Sequence, residues 1–147
     1  MNQLNINLEI NKVKTYGKTA ISRKTPSLPM RWLHKNGLLD GKRMLDFGSG
    51  RGFDAFYFSM EEYDPHHYPE KPRGTFDVIT CNYVLNVVEP SEVPQILSEI
   101  RSLLKEDGVA YVSVRRDKDT LKRQHLVKLS EEVIKENSNF AIYKIKK

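Results

Sequence analysis

The sequence predicts an α/β fold, a reduced doubly wound sheet in which apolar strands alternate with helices. An apolar run at residues 43–47 leads into three glycines at alternate positions, the pattern of a strand, a tight turn and a helix N-terminus. Two later apolar runs, 76–81 and 109–114, predict buried strands. Between them, residues 91–104 carry apolar side chains at the helical period, which predicts an amphipathic helix packed on the sheet.

Length and composition limit the classes of protein that this chain can represent. A chain of 147 residues is long enough for one domain with its own core. No apolar run approaches the ~20 residues of a membrane span, and the polar N-terminus lacks the pattern of a signal peptide. The single cysteine, Cys81, excludes an internal disulfide and fits a reducing compartment. We therefore expect one cytoplasmic domain, residues 1–147, with no membrane partner.

The segment before the glycine loop divides into three parts. Residues 1–10 alternate between apolar and polar side chains, which predicts a half-buried strand that could add to a sheet edge or to a partner. Residues 11–25 are basic and aperiodic, and they predict a lid or a polyanion-binding loop, with a solvated linker as an equal alternative. Residues 27–35 predict a helix, with Ser27 as its N-cap and Pro29 in its first turn.

The glycine loop carries the main functional signal. Glycine permits positive φ and lets a ligand approach the backbone closely, and the helix amides that follow point toward that ligand. A dinucleotide fingerprint has the spacing G-x-G-x-x-G, whereas the third glycine here comes one residue early. Asp46, just before the turn, would repel a pyrophosphate but attract an ammonium group or a nearby sulfonium. A nicotinamide cofactor is therefore disfavoured, although a glycine turn without a ligand stays open.

At residues 45–52 the string LDFGSGRG resembles the glycine-rich loop of class I S-adenosylmethionine-dependent methyltransferases. The strings SRKTPSLPMRWL, YDP and CNYVLNVV extend the resemblance over about residues 18–146 and are similar to a compact bacterial or phage-type group. The resemblance implies methyl transfer from S-adenosylmethionine. It also implies a Rossmann-like sheet, mostly parallel, that ends in an antiparallel pair at about residues 124–129 and 140–146.

The resemblance also assigns roles to particular residues. Asp64, at the end of the expected second strand, would accept hydrogen bonds from the ribose hydroxyls of the cofactor. Glu61 or Glu62 would take that role under a different strand register. The methionine end of the cofactor would lie against Asp46, Gly48, Gly50 and Gly52.

The methyl acceptor is expected on the other side of the cofactor, beside Asn82 and Tyr83. Asn82 could hydrogen-bond an amino group and Tyr83 could stack on a ring, although both could instead be structural turn residues. The N-P-P-Y string of enzymes that methylate amino groups of nucleic acids is absent, which weakens the case for base methylation. The basic residues of 12–24 and 115–123 keep nucleic acid open as an acceptor, and its affinity would then fall steeply with salt.

The spacing departs from the family between Asp64 and the next strand. Only 11 residues intervene, rich in proline, histidine and charge, where the full fold has a helix, a strand and often a second helix. The segment around the third strand is therefore expected to be missing. The second strand would then lie at an edge, where a homodimer could form, or be covered by another part of the chain. This loss motivates a second hypothesis: a cofactor-binding or degenerate scaffold, acting as a regulatory subunit without turnover.

Four further groups of residues have weaker functional interpretations. His66 and His67 are adjacent on a proline-rich loop, a poor arrangement for one metal ion, so no metal site is expected. Cys81 ends a buried strand and is expected to be a small core residue. Arg115 and Arg116 could clamp a phosphate or a carboxylate, or could be solvated. His125 could act as a base, but the sequence shows no partner for it.

Overall fold

The computed structural model describes residues 25–48, 52–65 and 70–147. The predicted N-terminal strand, nearly all of the basic segment, Gly50 and the two adjacent histidines lie outside the described residues. The helices are α1 (Leu28–Lys35), α2 (Phe53–Tyr57), α3 (Val93–Ser102) and α4 (Lys118–Leu121), with a 3₁₀ turn at Pro90–Glu92. The strands are β1 (Met44–Phe47), β2 (Glu61–Tyr63), β3 (Phe76–Asn82), β4 (Leu104–Arg115), β5 (Glu132–Glu136) and β6 (Phe140–Lys146). No helix in these three ranges is both long and apolar enough to cross a membrane.

The six strands form one sheet in the order β2-β1-β3-β4-β6-β5. The first four strands in that order are parallel, and β6 and β5 are antiparallel to their neighbours. The predicted α/β sheet, mostly parallel with an antiparallel C-terminal pair, is therefore confirmed. β2 lies at the edge of the described strands, as expected from the missing segment, while association of two copies through this edge stays a prediction.

The core lies on both faces of the sheet, because successive side chains of a strand point to opposite sides. Ile79 of β3 is fully buried with Ile100 of α3 in the larger cluster. Its neighbour Val78 belongs to the second cluster, where Met30 and Leu33 of α1 are also fully buried. A helix therefore covers each face, as in a doubly wound fold.

Helix α1 forms where the sequence predicts it, but Ser27 does not cap it as expected. The Ser27 side chain makes no capping hydrogen bond within the helix. Its hydroxyl instead donates to Asp54 Oδ2 at 2.8 Å, and its backbone N–H donates to Oδ1 at 3.1 Å. Because Asp54 lies in α2, these two bonds tie the start of α1 to the helix that follows the glycine loop.

The predicted strand at residues 124–129 is wrong, and the partner of β6 is β5. Asn137 Oδ1 accepts hydrogen bonds from two backbone N–H groups of the connecting turn, at 2.8 and 2.9 Å. This tight turn pairs β6 with the residues immediately before it. Segment 124–129 is held by side chains instead, for example where Leu129 N–H donates to the Tyr143 hydroxyl at 3.2 Å.

Helix α3 ends two residues earlier than its apolar period predicts. Leu104 belongs to β4, where it pairs with Phe76 of β3. The register then shifts, and regular pairing resumes with Val109 opposite Val78. The irregularity lets Leu104 remain fully buried in the larger cluster although it has left the helix.

Candidate active site

The predicted site residues that the structure describes meet at the carboxyl edge of the parallel strands. Asp46 is the third residue of β1 and lies opposite Thr80 of β3. Asn82 ends β3 opposite Ser113 of β4, and Asp64 follows β2 directly. Open parallel sheets bind their ligands in the crevice beyond these strand ends. The expected cofactor and acceptor residues are thus brought together, although Gly50 lies outside the described part of the chain.

Asp46 is a buried acid in a strongly perturbed environment. It is 4% exposed, and its Oδ1 accepts a hydrogen bond from the Thr80 hydroxyl at 2.8 Å. Burial raises the pKa of Asp46 to about 8, the Thr80 bond opposes this shift, and Asp54, Glu62 and Asp64 add to it through their negative charge. A cation beside this carboxyl would favour its ionised form, because an opposite charge offsets both burial and repulsion.

Two glycines of the loop are required by backbone conformation and by space. Gly48 has φ of +72°, and its N–H donates to Tyr63 O at 2.6 Å. A Cβ at Gly48 would lie 2.5 Å from Val84 Cγ2. Gly52 precedes α2 with φ of +75°, and a Cβ there would lie 2.5 Å from Glu62 Oε2. The positive φ and the close neighbours therefore favour glycine at both positions.

The three acids proposed to bind the ribose differ in their contacts and burial. Glu61 forms an ion pair with Arg43 at 2.7 Å on the exposed surface, and this pairing disfavours it for the site. Glu62 lies opposite Asp46 in the strand register. Asp64 is 8% exposed and acts on Asp46 through its charge. Asp64 and Glu62 therefore remain as the acids placed near the glycine turn.

Asn82 and Tyr83 are both held by Ser113 of β4. The Ser113 hydroxyl donates to Asn82 Oδ1 at 2.8 Å, and Tyr83 N–H donates to Ser113 O at 3.0 Å. The buried Asn82 Nδ2 has no hydrogen-bond partner among the residues described. Tyr83 has φ of +64°, and the Arg115 guanidinium lies 4.7 Å from its ring centroid. Backbone strain of this kind costs ~1–3 kcal/mol and is concentrated at functional sites.

Sequence reasoning did not single out Thr80, Ser113 or Asp54, although each holds a part of this site. One signal was available, since Thr80 and Ser113 are polar residues within otherwise apolar strands. Such hydroxyls are buried at little cost only when they are hydrogen-bonded. Their partners, however, come from neighbouring strands and cannot be identified from local sequence.

The residues with weaker functional interpretations also make structural contacts, while the suggested roles of Arg115, Arg116 and His125 stay predictions. Arg116 donates to Val127 O at 2.6 Å and to the Tyr143 hydroxyl at 2.8 Å, so it braces the C-terminal segment. The exposed His125 is joined to this region through its backbone N–H, which donates to Asn86 O at 3.0 Å. Cys81 is fully buried, and burial raises the pKa of its thiol, as expected for a core residue. Within the described ranges, no cluster of three or more potential metal ligands is present.

A second concave region lies at the opposite, amino edge of the sheet. This cleft of about 620 Å³ is lined by residues that precede β1 or begin β3 and β4. Two of its charged residues, Lys105 and Asp77, form an ion pair with each other at 2.9 Å. We assign no chemistry to this cleft, because these groups satisfy each other and lie away from the strand ends that carry Asp46 and Asn82.

Comparison with known proteins agrees with this geometry. The family model described as "Methyltransferase domain" matches residues 21–140. A search of the curated proteins gives no match.

Among solved structures, the 1,6-didemethyltoxoflavin-N1-methyltransferase of Burkholderia thailandensis, crystallised with 1,6-didemethyltoxoflavin and S-adenosylhomocysteine, is 18% identical with a TM-score of 0.58. That match covers 95% of this chain and 87% of the other. PH0226 of Pyrococcus horikoshii OT3 is 14% identical with a TM-score of 0.57, over 81% of this chain and 85% of that one. At these identities the two structures show a common fold.

The match to PKMT2 of Rickettsia typhi is less extensive. It has 21% identity and a TM-score of 0.43, and it covers 55% of this chain but only 22% of that protein. This similarity is too limited for a structural conclusion. The family match, in contrast, spans most of the sequence. The chain therefore belongs to the methyltransferase-domain family, and it shares its fold with the Burkholderia thailandensis methyltransferase.

Proposed function

We propose that this chain transfers the methyl group of S-adenosylmethionine to a small acceptor bound beside Asn82 and Tyr83. The observation that carries the proposal is the buried, hydrogen-bonded Asp46 followed by Gly48, which has a left-handed φ. This arrangement suits the ammonium group of the cofactor's methionine end, which would supply a positive charge where the described groups acting on Asp46 are acidic. Glu62 and Asp64 are the candidates to bind the ribose, with Asp64 favoured because it directly follows β2.

S-adenosylmethionine supplies a methyl group on a sulfonium, so the leaving group is a neutral thioether. Positioning of the two reactants therefore accounts for much of the catalysis. On the cofactor side, Gly48 and Gly52 let the backbone pass close to Val84 and Glu62, and Asp46 would supply negative charge in its ionised form. On the acceptor side, Ser113 holds both the Asn82 amide and the Tyr83 backbone in place. These fixed groups would orient the acceptor without the help of a flexible loop.

The hydrogen bonding of Asn82 narrows the chemistry of the acceptor. Its Oδ1 already accepts from Ser113, so the group that it offers is the amide N–H. An N–H cannot bind the lone pair that attacks the methyl group without blocking the reaction. We propose that it binds a second acceptor atom, such as a carbonyl oxygen or a ring nitrogen near the nucleophile. This proposal differs from the initial expectation that Asn82 hydrogen-bonds an amino group.

Calorimetric titration tests the cofactor assignment directly. We expect S-adenosylmethionine and S-adenosylhomocysteine to bind with micromolar dissociation constants, about 8 kcal/mol of binding free energy, and NAD not to bind. Absence of binding by both sulfur ligands would overturn the assignment. Binding without turnover of any acceptor would favour the scaffold hypothesis, which no present observation supports.

An acceptor screen tests the assignment of Asn82. Release of S-adenosylhomocysteine is measured with carbonyl-bearing and nitrogen-heterocyclic acceptors, and with single-stranded and duplex nucleic acid. For an active acceptor, Asn82→Ala is expected to lower turnover at least tenfold, because it removes the N–H, while affinity for S-adenosylhomocysteine changes by less than about threefold. The exposed Ser102→Ala is the matched control. Equal turnover of the two variants would remove Asn82 from the acceptor site. Activity restricted to nucleic acid, falling steeply with salt, would overturn the small-acceptor proposal.

A further inference from the structure

Thr80 and Asp46 form a polar pair in the middle of the parallel sheet. Thr80 is fully buried, Asp46 is nearly so, and the two residues are opposite each other in the register of β3 and β1. Their side chains therefore emerge on the same face, where the hydroxyl lies 2.8 Å from the carboxyl oxygen. Val78 and Ile79 precede Thr80 and Cys81 follows it, so the hydroxyl stands in an otherwise apolar stretch of β3.

The charged groups that act on Asp46 from the elements around it are all acidic among the described residues. They are Asp54 on α2, Glu62 on β2 and Asp64 directly after β2. The adjacent Cys81 thiol stays neutral, because burial raises its pKa. Burial and these three carboxylates favour a protonated Asp46, and the Thr80 hydroxyl is the described group that opposes them.

We propose that Thr80 is a positioning residue of the cofactor site, whose hydroxyl orients the Asp46 carboxyl group and favours the ionised form that would receive the ammonium group of the cofactor. The inference rests on the proposed cofactor site and adds a residue to it. A protonated Asp46 presents a neutral acid, which attracts an ammonium group far less than a carboxylate does. A donor to Oδ1 also leaves Oδ2 as the oxygen that the ligand would contact.

The test is calorimetric titration with S-adenosylhomocysteine between pH 6.5 and 9.5. Wild type is compared with Thr80→Val, which keeps the side-chain shape without the hydroxyl, and with Thr80→Ser, which keeps the hydroxyl. The amino group of the ligand titrates identically in every experiment. The ratio of variant to wild-type affinity at each pH therefore reports only the effect of the substitution on the protein.

Thr80→Val is expected to bind about tenfold more weakly than wild type at pH 6.5 and within about threefold of it at pH 9.5, where Asp46 is ionised without help. Thr80→Ser is expected to follow wild type within about threefold throughout. Should Thr80→Val fail to fold, as judged by circular dichroism, Thr80→Cys, with its weaker donor, is expected to show an intermediate pH-dependent loss.

A loss for Thr80→Val that is equal at every pH would assign Thr80 a packing role only and overturn the inference. Unchanged affinity at every pH would do the same. Failure of wild type itself to bind S-adenosylhomocysteine would contradict the proposed cofactor site instead, so the two failures are distinguishable.

Discussion

Asp46→Asn is expected to lower the affinity for S-adenosylhomocysteine by a hundredfold or more at pH 8.5. Asparagine matches the shape of the buried side chain but carries no charge, so the ammonium group would lose its counter-charge in a site shielded from water. Removal of one partner from a buried ion pair costs ~3–5 kcal/mol, and tenfold in affinity corresponds to about 1.4 kcal/mol. Calorimetric titration measures the loss, and the exposed Asp119→Asn is the matched control. Equal affinity in the two variants would remove Asp46 from the site.

The same substitution is expected to have the opposite effect on stability. The pKa of Asp46 rises from 3.8 to about 8 in the folded protein, so between these pH values the folded state holds a proton that the unfolded chain lacks. The free energy of unfolding of the unliganded wild type therefore decreases as the pH rises through this window, by about 1.4 kcal/mol per unit of pKa shift at most. Asp46→Asn has no carboxyl group to titrate at this position, so its free energy of unfolding should not fall in this way. Urea unfolding at pH 5 and pH 9 should therefore show that the free energy of unfolding of the variant, minus that of wild type, grows with pH. A constant difference would contradict the perturbed titration.

Gly48→Ala is expected to destabilise the fold by about 2–5 kcal/mol. Left-handed φ in a residue with a Cβ costs roughly 1–2 kcal/mol. The new methyl would also lie 2.5 Å from Val84 Cγ2, and overpacking of this kind adds ~1–3 kcal/mol. Chemical denaturation of wild type and variant measures the sum.

Gly37 supplies a matched control for the backbone contribution. Its φ of +71° is nearly that of Gly48, but a Cβ at Gly37 would meet nothing within 4 Å. Gly37→Ala should therefore report the conformational cost alone. In the background of Val84→Ala, Gly48→Ala should cost about as much as Gly37→Ala, since the contact is gone. If Gly48→Ala were no more costly than Gly37→Ala in wild type, the steric argument would fail.

Local sequence was sufficient for the features of this protein that depend on neighbouring residues. The strand, alternate glycines and following helix around Asp46 were predictable because the turn needs positive φ and a short apolar approach. The edge position of β2 was predictable because too few residues separate Asp64 from β3 to hold another strand. The family resemblance rested on the same local strings, and the family match confirms it.

The tertiary structure decided the features that depend on which distant residues face each other. Neither the bond from Thr80 to Asp46 nor the bond from Ser113 to Asn82 follows from spacing, because each depends on the register between strands more than 30 residues apart. Burial and three acids from other elements together raise the pKa of Asp46. This pKa therefore depends on the folded arrangement at the carboxyl edge of the sheet. The turn at Asn137 likewise determined that β6 pairs with β5 and not with segment 124–129, so the residues of β6 alone did not fix this pairing. The sequence by itself determined the class of fold and pointed to a candidate site, whereas long-range pairing determined the hydrogen bonds and protonation of the residues there, since burial and register exist only in the folded chain.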